Sequence, residues 1–205
     1  MNIAIIGTGN VGSTLATKWA AAGHQIKLGV RDINQFKGRH LLDNPAIQAL
    51  PIQEAVALSE VILLATPAPF AVEVAQSLGN TSGKVILDSM NTVMGRGPAG
   101  YTNTADAVLD NTQTKAVAKC FNVTGFNNML NPNYGTQKLD MFTCGDSKEA
   151  KEVARLLSLD ASFAECYDCG GNDRFQLLEQ FAFFWINLAM MQGQGREIGF
   201  KLLKR

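Results

Sequence analysis

Residues 2–31 read NIAIIGTGNVGSTLATKWAAAGHQIKLGVR. The opening NIAII is almost wholly apolar and runs into Gly7, the pattern of a strand covered on both faces of a parallel sheet. Val11, Leu15, Trp19 and Ala22 then recur at helical spacing until Gly23, which predicts a helix stopped by glycine. QIKLGV at 25–30 supplies a second strand. Strand, glycine turn, helix and strand within about thirty residues form a βαβ unit, whose crossover is expected to be right-handed.

Gly7-Thr8-Gly9-Asn10-Val11-Gly12 fits G-x-G-x-x-G. Three glycines in six positions are weak evidence in a chain with 19 of them, but here they follow a strand and open a helix. Gly7 permits the tight turn, Gly9 lets the backbone approach a pyrophosphate, and Gly12 allows the helix to lie close on the sheet. The unpaired amides of the first helical turn then face the phosphates, and Thr8 and Asn10 can add side-chain bonds.

The alternation continues beyond residue 31. DINQFKGRHLLDN reads as an exposed helix, AIQAL as a strand, IQEAVALS as a helix, EVILLATP as a strand ended by Pro67, PFAVEVAQSLG as a helix and KVILDSMN as a strand. KAVAKCFN and DMFTCGD add two strands, and Ser147 caps the helix KEAKEVARLLSL. The expected fold is α/β, a Rossmann-type doubly wound, mainly parallel sheet with C-terminal helices. Residues 1–205 are read as one NAD(P)-binding domain, with 171–205 as a helical C-terminal extension. Two stretches break the rhythm: 94–103, rich in glycine, and 122–137, rich in asparagine and glycine. Both follow strands, so both fall at the carboxyl edge where ligands bind in this architecture, although ordinary surface loops have the same composition.

Lysine plus arginine equals aspartate plus glutamate at 18 each, so no global field recruits nucleic acid or an anionic membrane. The longest apolar run, FAFFWINLAMM at 181–191, is shorter than the ~20 residues a bilayer requires and reads as a buried helix. Its dense aromatics also suit a cleft wall or a second subunit, and a homodimer is expected. The N-terminus runs directly into a strand without a basic leader, which predicts a cytoplasmic protein. Cys120, Cys144, Cys166 and Cys169 read as small buried thiols; CYDC has the spacing of half a zinc site, but no second ligand pair follows it, and no metal is assigned.

The second strand ends in GVRD. A carboxylate there would accept bonds from the adenosine ribose and repel a 2′-phosphate. This chain has Gly29, Val30 and then Arg31, whose guanidinium can bind phosphate through two hydrogen bonds. Lys37 and Arg39 add positive charge nearby, so the expected cofactor is NADP(H). Thr66, Pro67 and Ala68 end the fourth strand as a rigid edge along the pyrophosphate and nicotinamide ribose. Asp88 to Asn91, Asn122 and Thr124 bring polar groups to the nicotinamide end, where amides suit a carboxamide. His24 and His40 fall away from that edge. Tyr101, Lys119, Tyr134 and Tyr167 stand in no recognisable acid–base motif, which leans toward hydride transfer to a ring that needs orientation rather than a protein acid.

MNIAIIGTGNVGSTLA, GHQIKLGVRD, VILLATP, KVILDSMN, KAVAKCFN and FTCGDSKEAKEVARLL together resemble the NADP oxidoreductase family associated with coenzyme F-420. That group also includes the reductase domain of STEAP-type ferric reductases and shares its N-terminal pattern with pyrroline-5-carboxylate reductase. The resemblance implies that Thr8 to Val11 and Val30-Arg31 bind NADP(H), with Thr66-Pro67, Asn91 and Asn122 as weaker matches. It also implies a deazaflavin or flavin partner at the carboxyl edge. Val30 departs from the family's serine, which removes one hydroxyl from the phosphate site. Two alternatives stand beside this reading: an imine or carbonyl reductase of the pyrroline-5-carboxylate reductase type, and a non-catalytic NADPH sensor.

Overall fold

The computed structural model describes residues 1–205. Its main sheet has six parallel strands: β1 (Asn2–Ile6), β2 (Gln25–Val30), β3 (Ile47–Pro51), β4 (Val61–Leu64), β5 (Val85–Asp88) and β6 (Val117–Lys119). Their spatial order is β3-β2-β1-β4-β5-β6, so the chain reverses direction across the sheet between β1 and β4. In open α/β sheets the ligand crevice lies at that reversal, outside the carboxyl ends of the strands.

Period-two alternation explains why the strands are apolar throughout. Ile3, Ile5, Leu63 and Leu87 face one layer with Leu15, Trp19 and Leu157, while Ala4, Ile6, Ile62, Leu64 and Ile86 face the other with Ala55, Val56, Leu78 and Val108. The first layer holds α1 (Asn10–Ala21) and a later helix at Lys148–Asp160. The second holds α2 (Ile52–Ala57), α3 (Ala71–Ser77) and α4 (Thr104–Asp110). Trp19 ties the first layer together: its indole N–H donates to the Leu157 carbonyl at 2.9 Å, and its ring meets Phe121 edge-on with centroids 5.4 Å apart. Gly23, at φ +94, ends α1 as expected.

Residues 32–44 are not the expected helix. Asp32 accepts the Asn34 amide in a local turn, Gly38 sits at φ +88, and only a short 3-10 turn forms at Arg39–Asp43. An aspartate that captures the amide two residues on competes with the helical ladder. The two stretches read as loops also contain structure. Helix α4 starts directly after 94–103, capped by Asn103, which accepts the Asp106 amide at 2.9 Å. The 122–137 stretch holds α5 (Phe126–Leu130) and a tight hairpin of β7 (Asn133–Tyr134) with β8 (Gln137–Lys138), turning at Gly135 with φ +61.

Strand β9 (Met141–Thr143) pairs parallel with β10 (Cys166–Asp168), and an antiparallel bridge joins Lys119 to Cys144 beside it. The CYDC segment is therefore mainly a strand. Cys120, Cys144 and Cys166 are buried thiols, with Cys120 and Cys166 sulfurs 4.0 Å apart and unbonded. Between β9 and β10 runs α6 (Lys148–Asp160), capped by Ser147. Helix α7 (Phe175–Ile186) follows and continues through a π turn at Asn187–Met191, which is where the helical extension ends. Residues 192–205 run back without regular structure. Trp185 donates to the Ile198 carbonyl at 2.7 Å, Phe200 stacks on Phe181 at 4.5 Å, and Asp140 accepts the Leu202 amide. No helix is long and apolar enough to cross a membrane.

Candidate active site

The glycine turn sits at the reversal point, and its three glycines meet different constraints. Gly7 has φ +104, and a Cβ there would lie 2.4 Å from the Ala65 carbonyl oxygen beyond β4. A Cβ on Gly12 would lie 1.9 Å from the Gly7 carbonyl oxygen. Gly9 is different: its Cβ would meet nothing within 4 Å. Its exposure and its place at the N-cap of α1 leave open space in front of the first helical turn. No side chain caps that turn. Asn10 is exposed, Val11 is half-buried, and Ser13 donates its hydroxyl to the Thr8 carbonyl to fix the turn. Free amides, a positive helix end and a glycine that admits close approach fit a pyrophosphate.

At the end of β2, the Gly29 position points inward: a Cβ would strike the Ile6 side chain at 2.4 Å. Glycine here serves packing as well as excluding a carboxylate. Val30 is buried in the core, so only its backbone borders the crevice. Arg31 is exposed and enters no ion pair or hydrogen bond within the chain, since Asp32 is engaged by its own turn. The following loop folds back on the glycine turn, bringing Gly38 beside Thr8 and Ser13 and leaving Lys37 and Arg39 exposed. Arg39 donates to the Asn34 carbonyl and keeps its charge.

Across the reversal, Thr66 packs against Gly7 and its hydroxyl meets the Met90 sulfur at 3.2 Å. Pro67 is exposed, whereas Ala68 is buried under the second layer and offers no side chain to the crevice. Beyond β5 and β6, Asn91 and Asn122 are joined reciprocally. Asn91 donates to the Asn122 carbonyl at 2.9 Å, and the Asn122 amide donates to Asn91 Oδ1 at 2.9 Å and to the Leu178 carbonyl. Both protons of the Asn122 amide are thus used, and its Oδ1 has no partner.

Asp88, Ser89 and Lys119 do not face the crevice. Ser89 donates to the Leu64 carbonyl, and Asp88 and Lys119 are fully buried in a polar cluster that the sequence reading did not foresee. Lys119 Nζ lies 2.7 Å from Asp88 Oδ2, 2.8 Å from Glu179 Oε1, 2.9 Å from the Thr104 hydroxyl and 3.0 Å from the Met90 carbonyl. Glu179 also accepts the backbone amides of Thr92 and Thr104, each at 3.0 Å. Burial alone would lower the Lys119 pKa, but the two carboxylates outweigh it and hold the ammonium above the ordinary lysine value. Burial would likewise raise Glu179, yet the Lys119 charge and hydrogen bond and the two amides hold it below the usual carboxylate range. Glu179 was detectable in principle: it falls on the buried stripe Phe175, Leu178, Glu179, Ala182 of α7, where a charge needs a partner.

The other acid candidates are also engaged. Tyr134 donates to Asn128 Oδ1, Tyr101 accepts from Asn111, and Tyr167 lies under the Lys204 ammonium. Thr124 accepts from Asn128, and the Asn127 and Asn128 amides hold the carbonyls of Arg196 and Ile198. The asparagine-rich stretch therefore binds the chain's own C-terminal segment. His24 is paired with Asp160 and the N-terminal amine at the opposite edge of the sheet. A shallow cavity of about 170 Å³ opens beside the 92–102 segment and α7, lined by Thr92, Met94, Glu179, Gln180 and Phe183 among others.

A glycine turn at the reversal point, an uncapped helix end and an unpaired arginine after β2 together offer free amides and a free cation to a phosphate-bearing dinucleotide. Residues 2–92 match the family described as NADP oxidoreductase, coenzyme F-420-dependent. The family is one of NADP-dependent oxidoreductases. An F-420-dependent NADP reductase of Methanothermobacter thermautotrophicus is 25% identical over 210 residues, covering 92% of this chain and 89% of that one. A glycerol-3-phosphate dehydrogenase [NAD(P)+] of Thermoanaerobacter is 32% identical over 95 residues, but the match spans only 29% of its length. Among solved structures, a protein of Arthrobacter sp. FB24 assigned provisionally as an F-420-dependent NADP reductase superposes over all of both chains, with a TM-score of 0.85 and 25% identity. A reductive aminase from Aspergillus terreus, solved with NADPH, shares the fold at a TM-score of 0.68 and 18% identity, over 94% of this chain and 62% of that one.

Proposed function

We propose that this protein binds NADP(H) through Gly7 to Gly12, Arg31, Thr66, Pro67 and the Asn91–Asn122 pair, and exchanges hydride with a second redox cofactor, a deazaflavin of the F-420 type or a flavin. When bound, NADP(H) supplies the hydride. The chain's residues bind and orient it: the amides of the first turn of α1 take the pyrophosphate, and the Arg31 guanidinium takes the 2′-phosphate. The observation that carries the cofactor choice is the exposed, unpaired Arg31 beside a glycine turn whose open face has room for phosphate. Support for a ring acceptor comes from the engaged state of Tyr101, Lys119, Tyr134 and Tyr167, together with the full-length likeness to F-420-dependent reductases. The cavity beside Met94 and Phe183 is the candidate entry for that ring.

Residues 1–205 act as one nucleotide-binding unit in this reading. The exposed Leu177 and Phe184 of α7 are offered to a second copy of the chain, and the cytoplasm is the proposed compartment. The test is NADPH oxidation with F-420, FMN or FAD as acceptor. Turnover with a ring acceptor supports the proposal. Oxidation of NADPH by a cyclic imine without any flavin would favour an imine reductase, and tight NADPH binding without turnover on any acceptor would favour a sensor.

A further inference from the structure

The buried cluster under the β5–β6 edge has unequal charges. Every atom around both carboxylates is a donor: Met90 N–H and Lys119 and the Thr104 hydroxyl at Asp88, and Lys119 with the Thr92 and Thr104 amides at Glu179. The one neighbour that can also accept, the Thr104 hydroxyl, has a single proton to give between Asp88 and Glu179; every other neighbour only donates, and this arrangement favours the ionised form of both acids. Lys119 is their only cationic partner. Two carboxylates and one ammonium, with side-chain exposures of 0%, 3% and 0%, leave one net negative charge almost wholly withdrawn from solvent, with Glu179 reaching the wall of the cavity beside the 92–102 segment. Such a charge is screened far less than a surface one. The cluster bonds directly to the carbonyl of Met90 and the amide of Thr92, the residues flanking Asn91.

We propose that the Asp88–Lys119–Glu179 cluster sets the redox poise of the bound nicotinamide, favouring the cationic oxidised ring over the neutral reduced one. This deepens the function proposed above and rests on it. When NADPH gives up hydride, the hydrogen leaves with its electron pair to the deazaflavin or flavin, and the ring changes from neutral to one positive charge. A fixed negative charge nearby stabilises that product and the transition state leading to it. Asp88, Lys119 and Glu179 do not touch the ring, so they are positioning and electrostatic residues. Burying an ion pair is weak support for stability, which makes an uneven triad at this location hard to explain by folding alone.

The experiment measures Kd for NADP+ and for NADPH by calorimetry with wild type, Glu179→Gln and Asp88→Asn, each of which takes the cluster from one negative charge to none. A unit charge acting over about 12–20 Å through an effective dielectric of about 20 changes an equilibrium by about four- to tenfold. The ratio Kd(NADP+)/Kd(NADPH) should therefore rise about four- to tenfold in both variants, in the same direction. A purely structural role would weaken both nucleotides together and leave the ratio unchanged. Wild type should bind NADP+ at least as tightly as NADPH, an arm that stands even where a variant fails to fold. If the variants fold and the ratio stays within twofold, or if wild type binds NADPH more than tenfold more tightly, the inference is overturned while NADP(H) binding stands. If wild type binds neither nucleotide, both readings fall.

Discussion

Gly12→Ala and Gly9→Ala should separate stability from binding within one turn of chain. In Gly12→Ala the new Cβ would stand 1.9 Å from the Gly7 carbonyl oxygen and 3.1 Å from Ile5 Cγ2. To reach the 3.4 Å of ordinary contact, helix and turn must part by 1.5 Å, the difference between 3.4 and 1.9. The helix that would have to move buries Leu15, Ala16 and Trp19, so the strain cannot stay local. Overpacking of a tight core costs about 1–3 kcal/mol, and the backbone nature of the clash puts this substitution near 3. At about 2–4 °C per kcal/mol for a chain of this size, Tm should fall by about 6–12 °C. Gly9→Ala meets nothing within 4 Å and has φ −74, which alanine adopts freely. Glycine is a fair N-cap and alanine a poor one, so the exchange costs about 0.5–1 kcal/mol and Tm should fall by no more than about 4 °C. Its methyl, however, enters the space in front of the first-turn amides, and NADPH affinity should drop at least tenfold, about 1.4 kcal/mol. Thermal denaturation with calorimetric NADPH titration reads both quantities. A Gly9→Ala protein that binds NADPH like wild type would refute the placement of the pyrophosphate, and a stable Gly12→Ala would refute the packing argument.

Arg31→Glu should leave Tm unchanged, because Arg31 makes no bond within the chain, while erasing a tenfold or greater preference for NADPH over NADH in the same titration. Replacing Glu179 with leucine leaves the Thr92 and Thr104 amides without their acceptor, and should cost about 3–5 kcal/mol in urea unfolding. Glu179 is held below the ordinary carboxylate value of 4.5, so the unfolded chain binds more protons in that range and stability falls as pH drops from 4.5 through the lower folded value. Lys119 is held above 10.5, so its contribution is complete below that pH and is lost as pH rises through the higher folded value. Unfolding followed against pH should show both limbs, and Glu179→Gln should flatten the acid one. Burial pushes the Cys144 thiol up to about 12 and raises Cys120 well above its ordinary range, and Cys166 is buried too, so maleimide at pH 8 should reach the half-buried Cys169 first and the others only after denaturation, as peptide mass spectrometry will show.

The nucleotide half was legible because its signals are local. Strand β1, the glycine turn and α1 each declare themselves through apolar runs, a required φ and a 3.6-residue period within thirty residues. The strand order then follows from ordinary crossover rules. Residues 32–44 misled because the leucines near the end suggest a helix, while Asp32 and Gly38 redirect the backbone first. Short α4 and α5 escaped because seven and five residues carry too little periodicity to register. The site residues divide in the same way. Arg31 is readable as a deviation at one position, whereas the Lys119 cluster unites residues separated by 31, 15 and 60 positions, and no local pattern announces such a meeting. Only Glu179 left a trace, as a carboxylate on an otherwise apolar helical stripe.

The two ends of the crevice are built on opposite principles, and this suggests how binding and chemistry are divided. At the nucleotide end, helix amides and Arg31 are left without partners, which costs little because water solvates them until phosphate displaces it. In the proposed site that end would contribute affinity and select the 2′-phosphate through charge in open solvent, so its strength should fall with salt. At the nicotinamide end, Asn91, Asn122, Thr92 and Thr104 are bound to one another or to the buried cluster, and their positions are fixed before any ligand arrives. In the proposed reaction these preorganised dipoles and the shielded charge would act without reorganising during hydride transfer, with little sensitivity to salt. On the proposed reading, in which the buried cluster distinguishes the two rings, raising ionic strength should weaken NADPH and NADP+ binding together and change their ratio far less.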